Sequence, residues 1–158
     1  MIGNKRSMSQ DVEFCINQLV EVAVRALSLG INDPFTAIGC INHLGATLAK
    51  LSGDNASPLY IYDENGKLRI ITKPLTFDRL MDSAFNQIRQ YGKETVAVQI
   101  RLLEIIAEIA SHTVGANKKS IFRRHANMIK LGCSKDMVRE DLIDIEEKYR
   151  EVIETLKN

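Results

Sequence analysis

The chain has 158 residues, 45% of them hydrophobic and 26% charged, with a formal net charge of +1. A single domain of that length buries roughly 70% of the surface that its unfolded chain exposes, enough for a core without staples. The near-zero charge removes any long-range pull on nucleic acid or acidic substrates, and no window approaches 18 uninterrupted apolar residues, so no membrane span is expected.

Residues 1–8, MIGNKRSM, read as a loose polar leader. Lys5 and Arg6 run into Met8, Ser9, Gln10 and Asp11 and not into an apolar stretch, so a secretory signal is not expected. Ser9 is a candidate cap for a first helix reaching about Ser28. Its apolar residues cover most of the circumference, which predicts a mostly buried helix. Glu21 and Arg25 stand four apart in the favourable order.

RALSLGINDPFTA, residues 25–37, reads as one helix stopping and another starting. Gly30 suits the left-handed position just past a helix end. Asp33 is placed to cap the next helix, and Pro34 takes its first position, where a missing N–H costs nothing. Arg25, Ser28, Asn32, Asp33 and Thr36 crowd polar groups at this corner, either as a helix junction or as a small binding site.

The second helix spans about Pro34 to Leu51, and its interior Gly39 and Gly45 predict a neighbour packing close to the backbone. SGDNASP is a loop by composition. Residues 59–73 read as a β-hairpin turning at Asn65–Gly66, two residues that tolerate φ > 0. Two strands alone are marginal, so the hairpin must lie on the helices or pair with another copy.

Thr76 is a candidate cap for a third helix ending near Gly92, with one clean apolar stripe. The fourth, about residues 94–113, is apolar nearly all round and is predicted to be central. A fifth covers about 117–131. Ser134 then opens a long last helix, residues 134–158, in which Val138, Leu142, Ile145, Tyr149, Val152 and Leu156 form a heptad seam. The seam suits a partner helix within the chain or in a second copy.

Chemistry-bearing motifs are sparse. His43, His112 and His125 each stand alone in a predicted helix, with no second ligand at metal-binding spacing, and read as structural or solvent-exposed. Glu104 and Glu108 share a face, but Arg101 is at hand to neutralise Glu104. Cys15, Cys40 and Cys133 are odd in number and widely separated; they read as reduced residues of a cytosol-like compartment. The corner's backbone N–H groups suit an anion, yet the Asp33 carboxylate competes for them. KKSIFRRHANMIK is the sharp charge feature: Lys118, Lys119, Arg123, Arg124 and Lys130 with no acid between them. Such a face binds phosphates or anionic lipid, but pairing with the acidic last helix is favoured. With only Phe122 interleaved, nucleic acid is not an expected partner.

Residues 10–37 (QDVEFCINQLVEVAVRALSLGINDPFTA), residues 77–92 (FDRLMDSAFNQIRQYG) and VAVQIRLLEII at 96–106 resemble the soluble C-terminal portion of a bacterial family of predicted membrane proteins, domain of unknown function (DUF) family 2254. The family pattern usually has Pro where this chain has Leu29 and a small residue where it has Cys15; neither departure alters the helix–turn–helix reading. The likeness covers most of residues 10–110 and weakens beyond 115. It implies full-length relatives with transmembrane helices ahead of this region, and it supplies no activity.

The reading is therefore a mainly α single-domain bundle of about six helices, with one β-hairpin between helices two and three. Catalytic, metal and cofactor residues are not assigned. The expected role is a cytoplasmic regulatory or assembly domain at the inner face of a bacterial membrane, forming a homo-oligomer with the last helix as a natural dimer seam, or binding the transmembrane segments of a relative. The alternatives are a ligand or enzyme site at Arg25, Ser28, Asn32, Asp33 and Thr36, with Glu21 as a further member, and an anionic-lipid or nucleic-acid face at Lys118–Lys130.

Overall fold

The apolar stripes close into six helices and a β-ribbon in the computed structural model, which describes residues 12–53, 60–71, 76–113, 116–133 and 137–157. In chain order these are α1 (Val12–Ala26), α2 (Pro34–Leu51), β1 (Tyr60–Tyr62), β2 (Leu68–Ile71), α3 (Phe77–Tyr91), α4 (Val96–Ser111), α5 (Ala116–Gly132) and α6 (Arg139–Thr155). This is the mainly helical bundle, with a hairpin between α2 and α3, that the periodicities predict. The leader, Ser9 and Ser134 lie outside the described residues.

α4 is the centre. Its Val98, Leu102, Leu103, Ile105, Ile106 and Ile109 are buried, and α2, α3, α5 and α6 all pack against it. A Cβ at Gly45 would sit 2.7 Å from the Ile105 side chain, so that side chain of α4 lies directly on the α2 backbone there. Gly39 has nothing within 4 Å of such an atom, so no close neighbour explains that glycine. Gln99, fully buried, donates from Nε2 to the Gly92 carbonyl at 2.6 Å and pins the α3–α4 turn.

Cross-helix contacts fix the directions. Arg79 reaches Glu13 at 3.0 Å, placing the starts of α3 and α1 together. Arg101 Nε donates to Asn42 at 2.6 Å and Ile105 packs against Gly45 about one turn further along both helices, so α4 runs parallel to α2. Phe77 meets Phe122 edge-on, near the start of α3 and early in α5, so these two also run together. Tyr149 donates to Asn127 at 2.8 Å, and Lys130 pairs with Glu146 at 2.7 Å, so α6 runs against α5. The α1–α2, α3–α4 and α5–α6 connections consequently share one end of the bundle. The β-ribbon sits at the other.

Two helices differ from expectation. α1 buries only Ile16, Val20, Ala23 and Ala26, because α2 and α3 alone cover it. α6 begins at Arg139, after an extended Val138, five residues later than predicted. Its stripe is buried at Ile145, Val152 and Leu156 against this chain's own helices, while Val138 and Leu142 stand exposed where α6 overruns the end of α5.

The ribbon pairs Tyr60 with Ile71 and Ile61 with Ile70. Its turn is a three-residue loop, with Gly66 at φ 73°, Gly66 N–H donating to Asp63 and Asp63 N–H to Lys67. Asn65 keeps negative φ, so only one of the two turn residues uses the left-handed region. Among the described residues the ribbon packs against no helix.

Candidate functional site

At the α1–α2 corner the chain leaves α1, turns through Leu27–Asn32 and enters α2 at Pro34. Asn32 N–H donates to Ser28 O at 2.9 Å and Asp33 N–H to Ala26 O at 2.8 Å. The left-handed residue is Asn32 (φ 49°) and not Gly30, which keeps negative φ. The turn is longer than a one-residue helix stop, and its reversal falls immediately before the N-cap, at a residue type that tolerates this region.

Asp33 caps α2 as predicted. Its carboxylate accepts Thr36 N–H at 3.1 Å and Thr36 Oγ1–H at 2.6 Å. These bonds, the hydroxyl's first, hold the carboxyl below its ordinary range. Ser28 Oγ donates to the Arg25 carbonyl at 2.7 Å. The Arg25 guanidinium turns along α1 to Glu21 at 3.1 Å. The corner thus gathers the five residues on one stretch of backbone, and its side-chain bonds are all local.

Beside it runs an open groove of about 570 Å³ between α1 and α3, lined by Asn17, Glu21, Asp82, Ser83, Asn86 and Gln87 with Val20 and Val24. Only Glu21 joins this groove to the corner set.

The basic helix is mostly engaged, though not with the helix expected. Arg124 reaches α3, meeting Asp78 at 2.7 Å and Asp82 at 2.9 Å. Lys118 bonds the Ser52 carbonyl and lies 5.3 Å over the Phe77 ring. Lys130 is the one cation of the five that pairs with the last helix among the described residues, at Glu146. Lys119 and Arg123 form no ion pair with a described residue.

His125, one of the three histidines read from the sequence as structural or solvent-exposed, is structural. It is buried, its Nε2 is 3.3 Å from Asp82 Oδ1 and 3.4 Å from Arg124, and its ring packs edge-on to Phe85. Burial, reinforced by the Arg124 charge and opposed by Asp82 and Asp78, pushes its pKa down to about 4. The signal was available: Phe122, His125, Ala126 and Ile129 follow the helical spacing of one buried face.

The feature the sequence did not reveal is apolar. Among the described residues, nine of the eleven exposed large hydrophobic side chains belong to the end that carries the three helix–helix connections: Val22, Leu29, Ile31, Phe35, Tyr91, Leu131, Val138, Leu142 and Ile143. Leu29 is fully exposed, and Phe35 and Leu131 are each 83% exposed. Among the described residues no group of His, Cys, Asp and Glu is placed to hold a metal, and no helix is long and apolar enough to cross a membrane.

A family model described as "Predicted membrane protein (DUF2254)" matches residues 1–108. Uncharacterized proteins of Mycobacterium tuberculosis and Mycobacterium bovis are each 31% identical over 118 residues, which is 75% of this chain and 23% of theirs. The chain therefore aligns with less than a quarter of the length of these relatives. No solved structure matches it.

Proposed function

Because this chain belongs to the DUF2254 family of predicted membrane proteins, we propose that it is an assembly module at the cytoplasmic face of a bacterial membrane, working by self-association or partner binding. The observation that carries this reading is the gathering of exposed apolar side chains at one end of the bundle. Exposed apolar residues scattered singly are ordinary; their concentration at one end marks a region that another body covers. The corner residues sit at that same end, so their part in the reading is to fix the turn that presents Leu29, Ile31 and Phe35. The heptad stripe of α6 is spent mainly inside the chain, which moves the docking surface from that helix to this end. Lys119 and Arg123 remain for a weaker, anionic contact elsewhere.

The test is uptake of an apolar dye such as bis-ANS by the folded protein. The wild type is expected to bind dye below its melting temperature. Leu29→Ser/Phe35→Ser is expected to lose most of that signal with Tm unchanged, since neither side chain reaches the core. Dye uptake that is absent, or equal in the two proteins, removes the docking surface.

A further inference from the structure

We propose, independently of what covers the apolar end, that α5 is an acid-released latch: uptake of a proton by His125 unseats this helix from α3 while the α1–α4 core stays assembled.

The seat is a buried polar cluster. Nε2 of the buried imidazole stands 3.3 Å from Asp82 Oδ1 and 3.4 Å from the Arg124 guanidinium. Asp82 Oδ1 already accepts from Arg124 at 2.9 Å and from the Asn86 amide at 3.1 Å, so little of its acceptor capacity is left for an imidazolium. The Phe85 ring meets the imidazole edge-on and adds no acceptor. A second positive charge beside Arg124, out of water, is therefore poorly held. α3 supplies two further charges, Asp78 in favour of the proton and Arg89 against it. On the other helices packed against α5, paired charges have partners of their own: on α4 Arg101 holds Glu104 and Glu108, and on α6 Glu146 meets Lys130 and Lys148 meets Glu151.

Little else keeps α5 seated. Phe122, Ala126 and Ile129 accompany His125 inside, whereas α4 buries Val98, Gln99, Leu102, Leu103, Ile105, Ile106 and Ile109. An opening confined to α5 is then cheaper than unfolding of the whole bundle, and it returns the imidazole to water. Closed, the ring titrates at about 4; released, at its ordinary 6.5. The closed form refuses a proton that the open form takes, so the open fraction rises as pH falls below 6.5, by roughly 25-fold between pH 7 and pH 5.

Native-state amide hydrogen exchange of the whole chain, corrected for the intrinsic effect of pH, tests the latch. Residues 122–130 of α5 are expected to be less protected than residues 102–109 of α4 at both pH values, and to lose roughly 25-fold in protection from pH 7 to pH 5. His125→Leu is expected to make α5 protection independent of pH in this range. Arg124→Gln keeps the histidine and removes the opposing charge; it is expected to lower α5 protection at pH 7 and to make the fall to pH 5 shallower. The latch is overturned if α5 and α4 exchange equally slowly at both pH values, because the helix then opens only with the whole bundle. It is also overturned if α5 protection does not respond to pH, or if His125→Leu keeps the response. Where His125→Leu does not fold, a fall in Arg124→Gln as steep as in the wild type overturns it.

Discussion

At the α1–α2 corner every side-chain hydrogen bond closes within four residues of the chain, whereas between α3 and α5 Arg124 reaches back 46 and 42 residues to Asp78 and Asp82. The corner faces water, and its bonds decide how one helix ends and the next begins. The α3–α5 face encloses a histidine that is 1% exposed, so its bonds decide how two distant helices sit together. Local polar networks are therefore expected to be cheap to edit, and the long-range one to couple stability to pH.

The largest effect belongs to His125. Its folded pKa of about 4 lies below the ordinary 6.5. Above the unfolded value both states are neutral and the fold keeps its full stability. As pH falls through 6.5 the unfolded chain takes up a proton that the folded one refuses, and the loss grows until the folded value near 4 is passed. The gap amounts to roughly 3 kcal/mol, a fall in Tm on the order of 10 °C between pH 7 and pH 4. His125→Leu is expected to flatten that part of the profile. Thermal melts of the two proteins across the range decide it: parallel losses would show that the buried imidazole is not the source.

Asp33 sharpens the contrast from the local side. Its folded pKa is depressed, so its contribution is present above the unfolded value of 3.8 and is lost as pH falls through the folded one, below the window of His125. Asp33→Ala at neutral pH is expected to lower Tm by roughly 2–4 °C through loss of the α2 cap, and Asp33→Asn by less, because Asn caps as well. An unchanged Tm in Asp33→Ala would return the carboxylate to the ligand reading.

The same divide explains what the sequence made legible. Caps at Asp33 and Thr36 or at Thr76 and Arg79, the hairpin glycine, and the all-round apolar α4 are set by residues three or four apart, and each is found where spacing places it. Arg124 was matched to the acidic last helix because opposite charge is visible in a string and helix order is not; packing set α3 beside it instead. The left-handed Asn32 escaped because glycine's freedom at 30 is a tolerance and not a demand. The apolar end escaped because Leu29, Tyr91 and Leu131 are far apart in sequence, and only the alternation of helix directions brings their connections to one end.

The smallest effect tests the corner most directly. Arg25 and Glu21 are 70% and 61% exposed, four residues apart on one helix. A pair of that kind contributes only a few tenths of a kcal/mol, because water screens it and ordering two long side chains offsets part of the attraction. Arg25→Ala is therefore expected to lower Tm by less than about 1–2 °C, and by less still in high salt. The backbone carbonyl of Arg25, which receives the Ser28 hydroxyl, survives the substitution, so the turn keeps its bond. A fall of several degrees would mean that the guanidinium holds the turn itself, and the corner would then belong with the α3–α5 face as a packed, stability-bearing network.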